Sequence, residues 1–221
     1  MSPTSSLSTR GLIPGLPATI TVVHLDARAC DVIQNALNLN DTNIFGVSLR
    51  LSKHGAVEAV ALATPTTVFL IAIGKTNASS KPGLSGSGVD LARVLANPCV
   101  LLAGLNVARI ALLLHRQTGA DVYGVELTSL PVKPAVKHVS AADLAGTYIN
   151  HNTPKRPIHA LWLHDGNLDL CLKAWILVRY VSINASLRCM GGIWAELVRG
   201  LHRSNTRFAA GSTPRGCTRL C

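Results

Sequence analysis

A chain of 221 residues is long enough for one domain with a real core. Its composition, 48% apolar and only 14% charged, excludes intrinsic disorder as the overall state, and with 4% aromatics the core must be built from aliphatic side chains. The formal net charge of +10, with no acid before Asp26 or after Glu196, points to a polyanionic partner, of which nucleic acid is the commonest.

Residues 1–17 are rich in Ser, Pro and Gly and read as a disordered leader. Thr19–Leu25 has β-branched strand character. Asp26 stands where it could cap a helix over Ala27–Asn38, which carries Ala29, Ile33, Ala36 and Leu37 on one face. Three strands follow, Asn43–Leu51, Ala56–Thr64 and Thr66–Ile73, with His54-Gly55 and Thr64-Pro65 at hairpin-like spacing between them. Residues 74–88 form a Gly/Ser-rich flexible loop. Val89–Ala96 reads as a helix, Cys99–Leu105 as a buried strand, and Val107–Gln117 as an apolar helix ending near Gly119. A further short element starts within Val122–Leu130, Pro131 and Pro134 mark a break, and Ala141–Tyr148 is a short helix. Asn150–Pro157 is polar and basic, as a surface loop would be, and Leu168–Met190 is a long helix stopped by Gly191-Gly192. Strands first in a meander, then helices alternating, predict an α/β fold with a mixed central sheet of about five strands, helices on both faces and a helical C-terminal part. The predicted domain covers 18–203, and 204–221 form an irregular basic tail.

Several motifs that would announce chemistry fail on inspection. Gly74-Lys75-Thr76 follows a strand, but Phe69 stands where a phosphate-binding loop needs its first glycine. The eight histidines contain no HxH or HxxxH pair, and no Gly-x-Ser-x-Gly elbow occurs. Six cysteines without a CxxC pair give a zinc site no support; Cys30, Cys99 and Cys171 lie in apolar stretches as buried thiols, and Cys217 and Cys221 lie in the polar tail. Val100–Leu114 is apolar but short and carries Asn106 and Arg109, so no membrane span is expected. With no signal peptide in view, the expectation is an intracellular protein, nuclear or cytoplasmic.

The pattern from Thr21 to Leu130 resembles the ribonuclease-D-like (DEDD) 3′–5′ exonucleases, which have an RNase H-like fold. Val22-Val23-His24-Leu25-Asp26 and the helix after it are similar to the family's opening strand and first helix. Phe45-Gly46-Val47-Ser48-Leu49-Arg50 falls where the family has a strand bearing Asp-x-Glu. Ala56–Thr64 and Val68–Ile73 resemble the next two strands; Leu91–Leu95, Val100–Asn106 and Ile110–Leu114 resemble the helix, strand and second-motif helix. Tyr123-Gly124-Val125-Glu126-Leu127 is similar to the segment that follows, and Trp162 and Tyr180 sit at the spacing seen around the last motif, Tyr-x-x-x-Asp.

On this resemblance Ser48 and Arg50 stand at Asp-x-Glu, Ile110 at the second Asp, Ala174 at the Tyr and Val178 at the last Asp. Two-metal catalysis needs clustered carboxylates that hold two divalent ions about 4 Å apart. Magnesium requires hard oxygen ligands, which Ile110 and Val178 do not have, and Arg50 would repel a metal while suiting a phosphate. Asp26, Asp41, Glu58 and Glu126 are acids nearby in sequence, each off the required positions. No catalytic residue, no metal ligand and no cofactor is expected. The resemblance therefore implies a catalytically inactive exonuclease-like domain that binds nucleic acid, RNA or DNA, or a protein partner in RNA processing. Two alternatives stand beside it: an active exonuclease using Mg or Mn on acids placed elsewhere, and a degraded gene product with no selected activity. The nucleic-acid contacts expected are Arg50 and a stripe of Arg199, Arg203 and Arg207, which recur every four residues and would share a helix face.

Overall fold

The computed structural model describes residues 3–9, 12–37, 43–73, 90–129, 140–150 and 152–188. Contacts divide the chain into residues 1–182 and 183–221, and the packing discussed below belongs to the first unit. Its centre is a seven-stranded sheet in the order β1-β2-β5-β4-β3-β6-β7. The strands are β1 (Thr4–Ser8), β2 (Thr19–Asp26), β3 (Asn43–Leu51), β4 (Val57–Ala63), β5 (Thr67–Ala72), β6 (Val100–Gly104) and β7 (Gly124–Glu126). β3, β4 and β5 form an antiparallel meander; β2 joins β5 in parallel, and β6 and β7 extend β3 in parallel. The mixed α/β sheet is as the sequence predicts, with two strands more than expected.

The first of these additions is β1. The sequence reads 1–17 as a disordered leader, but residues 4–8 pair antiparallel with β2. A single apolar residue in Thr-Ser-Ser-Leu-Ser gives no alternation to detect, yet Leu7, Leu12 and Ile13 are all buried. The other addition, β7, is three residues long and gains its stability from pairing with β6 rather than from its own pattern.

Helices cover both faces of the sheet. α1 (Asp31–Ala36), α2 (Leu91–Leu95) and α3 (Val107–Thr118) pack on one, in a cluster with Val60, Leu62, Phe69, Ile71, Phe45 and Val47. α4 (Ala141–Leu144), α5 (Lys155–Leu163) and α6 (Asn167–Arg188) share a cluster with the opposite face, built on Ala59, Ala61, Ala63, Val68 and Leu70. α6 is buried from Leu170 to Val178 without a break, as suits a helix with cover all round.

Some boundaries moved. α1 begins four residues later than predicted, because Asp26 accepts a hydrogen bond from the Arg28 backbone N (2.9 Å) and forms a turn instead of a cap. Asn150–Pro157 is not all loop: α5 starts at Lys155, and Pro157 lies in its first turn, where its missing N–H costs nothing. Ala145–Ile149 continues α4 as a π-helical turn. Cys30 and Cys171 are buried, but Cys99 is only half-buried, since it precedes the first residue of β6. The loop at 74–88, Asp41, Cys217, Cys221, the tail 204–221 and the stripe Arg199, Arg203 and Arg207 lie outside the described residues.

Candidate functional site

The sheet leaves a cleft at one end. β6 pairs with β3 only from Asn43 to Gly46, while β3 runs on to Leu51. The second half of β3 therefore projects past the end of β6. A cavity of about 230 Å³ opens there, lined by Ser48 of β3, Asn106, Arg109 and Ile110 at the start of α3, Trp162 of α5 and Lys173 of α6. Clefts beyond the carboxyl ends of strands are where open α/β sheets bind ligands.

Two of the motif positions inferred from the sequence meet at this cleft, two pack beside it and one turns away. Ser48 and Ile110 line the same cavity. Ala174 and Val178 lie one helical turn apart on α6, and their backbone is seated on Gly46, two residues before Ser48. A Cβ on Gly46 would collide with Ala174 O and stand 2.7 Å from Val178 N. Only glycine permits this approach. Ala174 and Val178 are consequently buried in the helix–sheet interface, 0% and 1% exposed.

Arg50 goes elsewhere. It is not among the cavity's lining residues. Its Nε lies 3.3 Å from Glu58 Oε2, and its Nη1 donates to Asn167 Oδ1 at the start of α6. A register shift between Arg50 and Leu51 re-aims the strand at this point.

Two of the acids nearby in sequence are also committed. Glu58 pairs with Arg50. Glu126 reaches from β7 to α3, where its Oε2 accepts from Val107 N at 2.6 Å, and its Oε1 accepts from Thr128 Oγ1 at 2.8 Å. It thus caps α3 in place of Asn106, whose own side chain makes no cap and whose φ is +60°. A left-handed conformation at a non-glycine residue is uncommon, and asparagine is among the few that tolerate it.

Two cations that sequence reasoning did not select line the cavity. Arg109 is exposed in the first turn of α3, and its guanidinium has no ion-pair or hydrogen-bond partner among the described residues. Lys173 is 7% exposed at its side chain; its ammonium donates to His164 O at 2.6 Å and to Asp165 Oδ1 at 3.1 Å. The signal for Lys173 was present: one lysine interrupts the apolar run Leu170–Val178. An ammonium inside such a run must find oxygen partners or a ligand.

The donor set does not suit a divalent metal pair. The cavity offers the Ser48 hydroxyl, the Asn106 amide, two cations and apolar surface, with no carboxylate in its lining. Among the described residues, no three His, Cys, Asp or Glu side chains gather in a way that could hold a metal ion. Nor is any helix among them long and apolar enough to cross a membrane.

No family model matches the sequence, and no curated protein matches it. Likeness appears at the level of structure. The apo form of a nuclease matches with a TM-score of 0.55 at 11% identity, over 90% of this chain and 99% of that one. NrnC of Brucella melitensis matches with a TM-score of 0.50 at 10% identity, over 88% of this chain and 97% of that one. An EXD2 exonuclease domain soaked in Mn and dGMP is a looser match, at a TM-score of 0.38 and 16% identity, over 75% of this chain and 93% of that one. The first two show the fold. It is the α/β fold of these nucleases, consistent with the RNase H-like fold that the sequence resemblance implies.

Proposed function

We propose that this domain binds single-stranded nucleic acid on a nuclease scaffold and does not cut it. The observation that carries the reading is the lining of the cleft: Ser48 and Ile110 face a cavity with Arg109 and Lys173 and no carboxylate. Phosphoryl-transfer chemistry by two metals depends on carboxylates gathered around the scissile phosphate. Cations in their place favour the phosphate itself and disfavour the metal. The net charge of +10 supports a polyanionic partner, and Arg199, Arg203 and Arg207 are further candidate contacts.

The test is one preparation of pure full-length chain, assayed for binding and cleavage of 5′-labelled single-stranded RNA and DNA, with and without Mg²⁺ or Mn²⁺. The expected result is a complex whose log affinity falls with log salt at about −0.7 per phosphate contacted, with no shortened product. Replacing Arg199, Arg203 and Arg207 by Gln should flatten that slope by about two units if the stripe contributes three contacts. Ser48→Asp alone should not create turnover, since one carboxylate cannot hold a metal pair. Metal-dependent trimming from the 3′ end, or failure to bind either polymer at low salt, would overturn the proposal.

A further inference from the structure

We infer that the cavity between β3, α3 and α6 is a metal-independent site for a single nucleoside monophosphate unit, with the phosphate on Lys173 and Arg109 and the base against Trp162. This rests on the cleft being the nucleic-acid-binding site, and it adds what is held there and by which groups.

Size comes first. Pockets that enclose drug-sized ligands begin at about 300 Å³, and this cavity is about 230 Å³, so it can enclose no more than part of one nucleotide unit, the rest standing in the open mouth, and not a length of chain. Charge decides the ligand's sign. Arg109 and Lys173 both line the cavity, and no acid does. The carboxylate behind Lys173, Asp165, is 77% exposed at its side chain, so water screens it. An ammonium has three N–H donors, and His164 O and Asp165 Oδ1 account for two in Lys173. The third is available to a phosphate oxygen, and the unpartnered Arg109 guanidinium provides a planar fork for another.

The remaining lining fits the rest of a nucleotide. Trp162 is half-buried and packs against the core, giving a braced aromatic surface. Bases stack on such surfaces without sequence preference. Ser48 and Asn106 add a hydroxyl and an amide at the same cavity, able to donate or accept. In a metal-dependent nuclease, divalent ions supply positive charge to the phosphate. Here fixed side chains supply it, so chelation should leave binding intact.

The experiment is calorimetric titration of the full-length chain with adenosine 5′-monophosphate in buffer containing EDTA, repeated with excess Mg²⁺. Saturable binding at one site is expected, unchanged within about twofold by the metal, with adenosine at least about tenfold weaker because charge-assisted hydrogen bonds are lost. Arg109→Gln, at an exposed position, should weaken the monophosphate about tenfold and leave the folded circular dichroism signal unchanged. Trp162→Leu should weaken adenosine and its monophosphate alike. Lys173→Met is read alongside a thermal melt, since it also removes the bonds to His164 and Asp165. Binding that requires Mg²⁺, or that ignores both Arg109→Gln and Trp162→Leu, would overturn the assignment. An oligonucleotide that binds while the monophosphate neither binds nor competes overturns the cavity site alone. If oligonucleotide and monophosphate both fail to bind, the reading of the cleft falls with it.

Discussion

The two faces of the sheet are packed by different rules. Along β4, Val60 and Leu62 point to the side of α1, α2 and α3, whereas Ala59, Ala61 and Ala63 point to the side of α6. On the first side, branched and aromatic side chains hold the helices off the sheet, and Phe45 and Phe69 meet edge to face at 6.5 Å. On the second, alanines and Gly46 let α6 come down until backbone touches backbone. Trp175 fills what space remains, and its indole N–H donates to Pro65 O at 3.1 Å. The difference teaches that Ala174 and Val178, the α6 positions to which the sequence resemblance points, are packing positions in this protein. Ala174 and Val178 are the contact by which α6 sits on β3.

The strongest way to break this comparison is Val178→Asp, the substitution that would restore an acid at the last motif position. Val178 is 1% exposed in an apolar cluster. An uncompensated charge buried there should cost about 3–5 kcal/mol, or the carboxyl should take up a proton. Urea unfolding measured at pH 5 and pH 8 should show large destabilisation that grows with pH. A variant as stable as the parent with a new metal site would show that α6 is free to move off the sheet.

A paired measurement sharpens it. Leu62→Ala, on the bulky face, should cost about 2–5 kcal/mol by leaving a cavity. Gly46→Ala, on the close-packed face, should cost about 1–3 kcal/mol by overpacking, and it should also displace α6. Only Gly46→Ala should disturb ligand binding in the cleft, because Lys173 and Leu177 line it from α6. Equal effects of both variants on binding would contradict the division of labour.

The smallest effect concerns how α4 and α5 are held over α6. Asp143 completes a capping box with Ser140 and pairs with Lys155 Nζ at 2.8 Å. The Lys155 and Ser140 hydrogen bonds hold its carboxyl down at about 2, against an ordinary value of 3.8. Between those values the unfolded chain binds more protons, so this contribution is complete above about pH 4 and is lost as pH falls toward 2. Its size should be below about 1 kcal/mol, because the pair is largely exposed and screened. Asp143→Asn should remove that part of the acid dependence in thermal melts between pH 4 and 2, and an unchanged profile would place the acid sensitivity elsewhere.

Much of the fold was legible because its strands announce themselves. β3 spans Asn43–Leu51 as read, and β4 and β5 fall within one residue of the sequence-based limits. Runs rich in Val, Leu and Ala bounded by turn residues carry their own signal. β1 carried none, and β7 showed only as a short element of unspecified kind within Val122–Leu130, since the stability of both comes from neighbours that only the folded chain brings close. The cleft was half legible. Resemblance found Ser48 and Ile110, which line it. Spacing along the chain could not show that Arg50 turns aside to Glu58 and Asn167, 117 residues away for the latter, or that Lys173, Arg109 and Trp162 meet Ser48. These are long-range facts, set by how α6 lies on Gly46.

The short strand β1 has a consequence for anyone who trims the protein. It pairs with β2 along five residues, Thr4–Ser8 against Thr19–Val23, and β2 contains the buried Ile20, Val22, Val23 and Leu25. A fragment beginning at residue 18 would look complete by composition, yet it would turn an eight-residue strand with four buried apolar residues into an open sheet edge. Unpaired edges of that kind recruit other chains. Such a fragment should self-associate, and polar Thr4–Ser8 is what keeps that edge quiet.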